Sequence, residues 1–191
     1  MDKLKIIENA LPLPVFEELQ QFIMSDSIPW YHYNSVTYPS ENLSFNKSHD
    51  KEKIEQTKNI VAKGLTPTQK KYDYFMTHVV YVNNRIYSEL VFEKLQPLIE
   101  ILNPKSLIRI KINNYPRTPS VVHHQDHIDY DYTHKGALFY INTNNGVTVI
   151  ENETEIDSIE NKLILFDSSK LHHSTTTSNT SRRINININY F

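Results

Sequence analysis

The amino-acid sequence predicts an α+β protein that is mainly β: a sandwich of two sheets with helices packed on one of them. Apolar residues at helical spacing are confined to the first half of the chain. From Ser106 onward, short apolar runs follow one another closely, and Ile108, Ile110 and Ile112 alternate with polar residues. Many short strands after two helices are typical of two packed sheets with helices on one face.

The first half of the chain combines two predicted helices with short strands. The apolar residues from Val15 to Ile23 recur at helical spacing behind two prolines, which predicts an amphipathic helix entered through proline. A second apolar series contains Pro97, where proline either kinks the helix or starts a new one. The predicted elements of this half are strands at 4–7, 30–36 and 75–82 and helices at 15–23 and 86–99.

The second half consists of predicted strands. Asn145-Gly146 favours a hairpin between the strands on either side of it. The last strand alternates isoleucine with asparagine, which indicates one buried and one wetter face. The predicted strands of this half are 108–112, 137–142, 147–150, 155–159, 163–166 and 183–190.

Composition excludes several classes of function. Cysteine is absent, so thiolate catalysis, disulfides and cysteine-based zinc sites are excluded, and a reducing cytoplasm is compatible. Three glycines cannot build a P-loop or a dinucleotide fingerprint. A net charge of −2 argues against nucleic acid and membrane surfaces as partners. We find no signal peptide and no apolar run of ~20 residues, so we expect a soluble, cytoplasmic protein.

The densest group of possible metal ligands is the stretch from His123 to Tyr132, with three histidines and three aspartates. Alternate side chains of a strand share a face, so a His-x-Asp pair places an imidazole beside a carboxylate. A histidine from a distant strand would complete a set of two nitrogens and one carboxylate. This set leaves open positions on an octahedral metal, as in non-haem Fe(II) oxygenases.

The late part of the chain supplies such a histidine. The apolar run 163–166 leads through a polar loop to His172, and Arg183 follows eleven positions later, at the start of the last strand. Arginine binds a carboxylate through two parallel hydrogen bonds, so it suits the anchoring of an acid.

These residues resemble the motifs of the 2-oxoglutarate-Fe(II) dioxygenase superfamily, in particular its prolyl-4-hydroxylase-like group. His127-x-Asp129, His172 and Arg183 are the central motifs. The resemblance covers about residues 106–191. Further landmarks in the family's order are Asn113-x-Tyr115, Tyr140-Ile141-Asn142, Gly146-x-Thr148 and the Phe166-x5-His172 spacing.

The resemblance implies a double-stranded β-helix, or jelly roll, with the N-terminal helices packed on one sheet. It implies one domain over 1–191, with 1–105 as a support region and 106–191 as the metal-binding core. Fe(II) would be bound by His127, Asp129 and His172, with no catalytic residue beyond these ligands. The cosubstrates would be 2-oxoglutarate and O2. The far carboxylate of 2-oxoglutarate would bind Arg183, with Tyr115 or Asn113 adding a neutral hydrogen bond.

Neighbouring residues compete for these roles. On an unbroken strand, His124-x-Asp126 faces the side opposite His127-x-Asp129, and we interpret His123, His124 and Asp126 as a solvated strand edge. His173 competes with His172 as the distal ligand. Arg182 shares a face with the isoleucines of the last strand and Arg183 with its asparagines. The isoleucine face can pack against helices, which favours Arg183 as the anchor.

The remaining histidines, His32, His49, His78 and His134, are interpreted as structural or surface residues. Tyr130 and Tyr132 either line the substrate entrance or are ordinary strand aromatics. Residues 39–74 are predicted as loop with about one turn of helix, and a lid over the site is one hypothesis for them. The Lys51–Lys63 run is interpreted as a solvated face.

The favoured function is a dioxygenase that hydroxylates a protein side chain or a small molecule. The first alternative is a cupin-like metal enzyme that uses no 2-oxoacid, and the second is a non-catalytic jelly-roll binding module. Neither the substrate nor the oligomeric state follows from the residues, because one fold serves many substrates.

Overall fold

The computed structural model describes residues 4–36 and 65–191. The hypothesis of a lid over 39–74, His49 and the Lys51–Lys63 run therefore lie wholly or mostly outside the described residues. The described strands are β1 (Lys5–Ile7), β2 (Tyr31–Tyr33), β3 (Phe75–Val82), β4 (Arg85–Ile86), β5 (Leu107–Pro116), β6 (Lys135–Tyr140), β7 (Val147–Ile150), β8 (Thr154–Asp157), β9 (Leu163–Asp167), β10 (His172–Ser174) and β11 (Arg182–Tyr190). The helices are α1 (Leu13–Met24), α2 (Pro67–Tyr72), α3 (Glu89–Lys94) and α4 (Gln96–Leu102).

The described strands form two sheets. The larger has the order β1-β9-β6-β11-β5-β3-β2, with β4 paired to β3, and the smaller has the order β10-β7-β8. These strands pair antiparallel throughout, and a cluster that includes Leu138, Ile150, Ile156 and Phe166 packs between the sheets. This mainly β architecture confirms the predicted jelly-roll class.

The helices cover one face of the larger sheet. Ile184, Ile186 and Ile188 of β11 are completely or almost completely buried in the same apolar cluster as the helices. The helix residues of this cluster are Phe16, Leu19 and Ile23 of α1, Val91 of α3, and Leu98 and Leu102 of α4. The isoleucine face of the last strand thus packs against helices, as the sequence allows.

The other face of the larger sheet is polar and lies between the two sheets. Antiparallel pairing of β11 with β5 sets Arg183 opposite Tyr115 at one end of this face. Further along the same two strands, the paired residues are Asn185 with Asn113, Asn187 with Lys111, and Asn189 with Arg109. A row of polar side chains, here called the polar file, therefore runs along the face of the larger sheet that lies against the smaller sheet.

The hairpin predicted at Asn145-Gly146 is wrong. β6 pairs with β9 and β11 in the larger sheet, whereas β7 pairs with β8 and β10 in the smaller one, so the turn connects two sheets. The Asn144 side chain accepts a hydrogen bond from the Gly146 backbone N–H at 2.9 Å and stabilises this corner. Local turn chemistry does not reveal which partners the flanking strands will choose.

The structure decides between the two alternatives at Pro97. A new helix starts there, since α3 ends at Lys94 and α4 begins at Gln96, with proline in its first turn. The strand expected at 30–36 is limited to β2, and β5 extends well beyond 108–112.

In residues 4–36 and 65–191, no helix is long and apolar enough to cross a membrane. The division into 1–105 and 106–191 stays a prediction.

Candidate active site

Three predicted ligands come together in one cluster. One ligand atom from each of His127, Asp129 and His172 lies within 4.8 Å of the other two. His127 and His172 form a two-way backbone bridge, each N–H donating to the other's carbonyl at 2.9 Å. Their ring centroids are consequently 4.5 Å apart. The backbone pairing of two distant segments therefore sets the separation of the two imidazoles.

Both rings are oriented by backbone carbonyl groups. Nδ1 of His172 lies 2.8 Å from the Lys170 carbonyl, and Nδ1 of His127 lies 3.4 Å from the Gln125 carbonyl. A carbonyl oxygen only accepts, so each Nδ1 carries the hydrogen and each Nε2 keeps its lone pair. Nε2 of His172 is buried, has no hydrogen-bond partner among the described residues, and lies 3.9 Å from Oδ2 of Asp129.

Burial keeps both imidazoles neutral. It lowers the pKa of His127 to about 3, and the nearby His172 contributes in the same direction. Burial also lowers the pKa of His172, although Asp129 opposes this shift. Neutral imidazoles are the form that binds metal ions, so at neutral pH both side chains are ready to act as ligands.

Asp129 is held as a carboxylate from several sides. Burial alone would raise its pKa, but the positive charge of Arg109 and the surrounding basic groups hold that pKa well below its usual range. An Arg109 guanidinium nitrogen lies 2.6 Å from Oδ1. Oδ2 accepts hydrogen bonds from Ser168 Oγ at 2.6 Å and from Asn189 Nδ2 at 2.9 Å. The donors therefore fix both the charge and the orientation of the carboxylate.

The three residues fit a metal ion of the non-haem Fe(II) type. They offer two neutral imidazole nitrogens and one carboxylate, and the buried Nε2 of His172, which has no hydrogen-bond partner among the described residues, is free to bind an ion. With one ligand atom each, the three residues would fill half of the positions of an octahedral ion, so the other half would be open to cosubstrates.

Arg183 lies at the far end of the polar file and is fully buried. Its guanidinium carbon lies 5.3 Å from the ring centroid of Tyr115 and 5.7 Å from that of Tyr140. It donates to Ser158 Oγ at 2.7 Å and to Thr148 Oγ1 at 2.9 Å. Among the described residues, no carboxylate oxygen lies within 4.0 Å of the Arg183 guanidinium. A buried cation without an anionic partner is costly, so this position favours a ligand that brings a carboxylate.

A pocket is lined by His127 and His172 of the ligand cluster and by Tyr115 and Thr148, which contact Arg183. It is partly open to solvent. Tyr115 and Asn113, the predicted cosubstrate contacts, both line it. The Asn113 side chain donates to Asn185 Oδ1 at 3.0 Å, so its N–H is already engaged by the neighbouring strand.

The competing His-x-Asp pair is not a solvated strand edge. His124 is only 4% exposed, with Nδ1 3.0 Å from Ser174 Oγ and its ring 5.3 Å from that of Tyr115. Asp126 Oδ1 lies 2.6 Å from Nδ1 of His173, and Nε2 of His173 lies 3.0 Å from His123. The interpretation of all three residues as a solvated edge was wrong, although His123 itself is exposed.

The reason is that this stretch is not a regular strand. It forms only isolated bridges, at His123 and His127, so side chains do not alternate strictly between two faces. His124 and His127 therefore both point inward. Of the two arginines, Arg183 faces the pocket, whereas Arg182 donates to the backbone carbonyl of Met24 in α1.

Tyr130, Tyr132 and the described histidines outside the His123–Tyr132 stretch make contacts with other side chains or with the backbone. Tyr130 and Tyr132 stack on each other rather than line the pocket, and Tyr132 also stacks on Phe191. His32 stacks on Tyr74, His78 contacts the Pro29 carbonyl, and His134 lies 3.2 Å from Asn189 Nδ2, so all three are structural.

Several residues of the site were not predicted from the sequence. Arg109 and Lys111 of β5 border or line the pocket, and Ser168 and Asn189 hold the Asp129 carboxylate. The signal for the first two was present, because they alternate with buried isoleucines and therefore share a face with Tyr115. Ser168 gave no signal, since its contact depends on how two distant loops meet.

No family model matches the sequence, and no curated protein matches it. Solved structures do share its fold. A prolyl hydroxylase from Trichoplax adhaerens, in complex with a peptide fragment of the hypoxia inducible factor oxygen degradation domain, has a TM-score of 0.59 at 16% identity, over 98% of this chain and 83% of that one. A prolyl-4-hydroxylase from Pseudomonas putida has a TM-score of 0.52 at 10% identity, over 98% and 91%.

A third similar structure is the non-heme alpha ketoglutarate dependent epimerase SnoN from nogalamycin biosynthesis, with a TM-score of 0.56 at 8% identity, over 100% of this chain and 78% of that one. Two of the three proteins are named as prolyl hydroxylases and the third as an epimerase, but all match nearly the whole of this chain in three dimensions. The chain therefore has the fold of the 2-oxoglutarate-Fe(II) oxygenases.

Proposed function

We propose that this protein is an Fe(II)- and 2-oxoglutarate-dependent dioxygenase that hydroxylates a protein side chain or a small molecule. One observation carries the proposal: His127 and His172 of the two-histidine, one-aspartate cluster line the same pocket as Tyr115 and Thr148, and these two residues contact a buried arginine, Arg183, that has no carboxylate partner among the described residues. This is the arrangement needed to hold a metal ion and a dicarboxylic 2-oxoacid side by side.

His127, Asp129 and His172 would hold Fe(II). When bound, Fe(II) supplies the redox chemistry that couples the use of dioxygen to decarboxylation of the 2-oxoacid. The protein contributes orientation: two backbone carbonyls fix the imidazole tautomers, and Arg109, Ser168 and Asn189 fix the Asp129 carboxylate. No further acid or base is required of the protein at this centre.

Arg183 would bind the far carboxylate of 2-oxoglutarate. The faces of Tyr115 and Tyr140 and the hydroxyls of Ser158 and Thr148 hold the guanidinium in position before any ligand arrives. The incoming carboxylate neutralises a charge that is otherwise buried without a partner, so binding recovers part of the cost of desolvating Arg183. Tyr115 or Asn113, which both line the pocket, would add a neutral hydrogen bond to the cosubstrate.

The fold and the metal ligands do not specify the kind of substrate. The Trichoplax protein is bound to a peptide fragment, and SnoN is an epimerase from a biosynthetic route, so the same fold serves both kinds of partner. We therefore include both a protein side chain and a small molecule in the proposal. The lack of cysteine in the sequence supports a cytoplasmic location, and its charge of −2 argues against nucleic acid.

An anaerobic visible spectrum of the protein with Fe(II) and 2-oxoglutarate tests the proposal. A metal-to-ligand charge-transfer band should appear only when both are added, because the band requires chelation of the 2-oxoacid by the ion. Asp129→Ala is the negative control and should abolish it. Metal binding without the band would instead indicate a cupin-like enzyme, and absence of both would indicate a binding module.

A further inference from the structure

Lys111 is a pocket residue that the proposed function leaves without a role. It lies on β5 opposite Asn187 and lines the pocket together with His127 and His172. Its Nζ is 5.8 Å from the ring centroid of Phe75, which lines the same pocket. The amine therefore lies between the metal ligands and an aromatic wall.

No described residue neutralises this amine. In residues 4–36 and 65–191, no carboxylate oxygen lies within 4.0 Å of Lys111 Nζ. Asp129 is the nearby acid, but it is already bonded to Arg109, Ser168 and Asn189. Burial, followed by repulsion from Arg109, lowers the pKa of Lys111 to about 7, and Asp129 opposes this shift only in part. The pocket thus presents a buried amine that lacks a counter-charge.

The two carboxylates of 2-oxoglutarate have other partners. Arg183 receives the far one, and the metal ion receives the one next to the keto group. Along β5, Lys111 is four paired positions away from Tyr115, the residue opposite Arg183. Its Nζ lies near the Phe75 ring, which itself stacks on Tyr115 with 5.7 Å between ring centroids, so Phe75 separates the amine from the Tyr115 ring. An additional anion would supply the amine with the carboxylate partner that it lacks among the described residues.

We propose that Lys111 binds a carboxylate of the substrate, so that the proposed dioxygenase acts on an acid, either a carboxylic acid or a residue with an acidic side chain. The inference rests on the proposed function and adds the substrate class to it. A carboxylate beside Lys111 restores the charge of the amine and forms a charge-assisted hydrogen bond in a site of low dielectric. It also holds the neighbouring C–H groups of the substrate close to the metal ligands.

Binding of defined probes to the loaded protein tests this assignment. The protein is loaded with Mn(II) and 2-oxoglutarate without oxygen, and isothermal titration calorimetry measures the affinity of N-acetyl-L-aspartyl amide and N-acetyl-L-glutamyl amide. The neutral matches are the corresponding asparagine and glutamine compounds. We expect the acids to bind at least about tenfold more tightly than their amides, as a hydrogen bond between charged groups allows.

Two variants locate the effect. Lys111→Met keeps the length of the side chain without its charge and should remove the preference for acids while leaving the affinity for 2-oxoglutarate unchanged. Lys105→Met changes an exposed lysine outside the pocket and should retain the preference. Circular dichroism of each variant verifies folding, so loss of probe binding is not confused with loss of structure.

The remaining outcomes contradict the inference. It is wrong if acids and amides bind wild-type protein equally, if no acid binds, or if Lys111→Met leaves the preference intact. A loss of 2-oxoglutarate affinity in Lys111→Met would assign the carboxylate to the cosubstrate instead. Failure of wild-type protein to bind 2-oxoglutarate at all would contradict the proposed function itself. The dependence of acid binding on Lys111 would then be measured with Mn(II) alone.

Discussion

Gly146 and Arg183 are in such close contact that a β-carbon at position 146 would lie only 2.6 Å from Cδ of Arg183. The same β-carbon would lie 2.6 Å from the backbone oxygen of Thr176. The missing side chain of Gly146 is therefore what allows the arginine to lie buried between Tyr115 and Tyr140. The space for the cosubstrate anchor depends on a residue that touches no ligand.

Gly146→Ala should consequently weaken 2-oxoglutarate binding by roughly tenfold or more, because the new methyl group displaces the Arg183 side chain. It should also lower the free energy of unfolding by about 1–3 kcal/mol through overpacking. Calorimetry with 2-oxoglutarate and urea unfolding measure the two effects. Gly136→Ala is the matched control: its β-carbon would meet Ser168, so it should disturb metal affinity more than cosubstrate affinity. Equal 2-oxoglutarate affinity in wild type and Gly146→Ala would contradict the assigned role of Arg183.

The two adjacent arginines should differ in function. Arg183→Met removes the buried guanidinium and should reduce 2-oxoglutarate affinity by about 10- to 100-fold, as expected for loss of a charged hydrogen-bonding partner. Arg182→Met removes a contact to α1 on the opposite face and should affect stability alone. The measurement is a 2-oxoglutarate titration of both metal-loaded variants. A larger loss of affinity in Arg182→Met would move the anchor by one residue.

The two aspartates should differ in metal binding. Asp129→Ala removes the carboxylate from the ligand cluster and should abolish tight Fe(II) binding, measured as bound iron after anaerobic desalting. Asp126→Ala should leave most of the iron bound, because Asp126 contacts His173 rather than His127 or His172. The opposite result would place the metal centre three residues upstream.

Stability of the metal-free protein should fall in mild acid. The folded-state pKa values of His124 and His127 are lowered to about 3, largely by burial, from a usual value near 6.5. Between these values the unfolded chain takes up protons that the folded protein does not, so stability is full above pH 6.5 and decreases as the pH falls toward 3. Each such histidine contributes up to about 1.4 kcal/mol per pH unit in this window.

Urea unfolding at pH 7.5, 6.5 and 5.5 measures this dependence. His124→Gln removes a buried imidazole that is no metal ligand in the proposal and should reduce the pH slope by about one proton. His32→Gln, at an exposed position, is the control and should keep the slope. An unchanged slope in His124→Gln would show that His124 is not the source of the acid sensitivity.

Lys111→Met should stabilise the metal-free protein. The folded-state pKa of Lys111, lowered to about 7, means that the unfolded chain binds a proton more readily between pH 7 and the usual lysine value of 10.5. Removing a buried amine that lacks a counter-charge should raise the free energy of unfolding at pH 7 by about 1–3 kcal/mol. Thermal unfolding without metal measures it, and a lower melting temperature would indicate that the amine has a structural partner.

Some helices, strands and site residues could be predicted from the sequence, and others could not. Apolar periodicity located most helices and strands, because burial of one face is a local property of a helix or strand. The same reasoning assigned the isoleucines of β11 to the helix side. It failed for His124, since strict alternation assumes a regular strand and this stretch makes only isolated bridges. It failed at Asn145-Gly146 because a turn motif does not specify the partners of its strands.

The sequence by itself determined the class of the fold and the types of ligand available: two histidines, one aspartate and one arginine in a particular order, with no cysteine. Coordination chemistry depends on residue type, so the types of ligand can be read from the amino-acid sequence. Only the tertiary structure decided how each side chain is used. It buried Arg183 between Tyr115 and Tyr140, joined Arg109 to Asp129, and gave Lys111 no carboxylate partner among the described residues. These facts depend on distances between segments that lie far apart in the chain, and no local pattern encodes them.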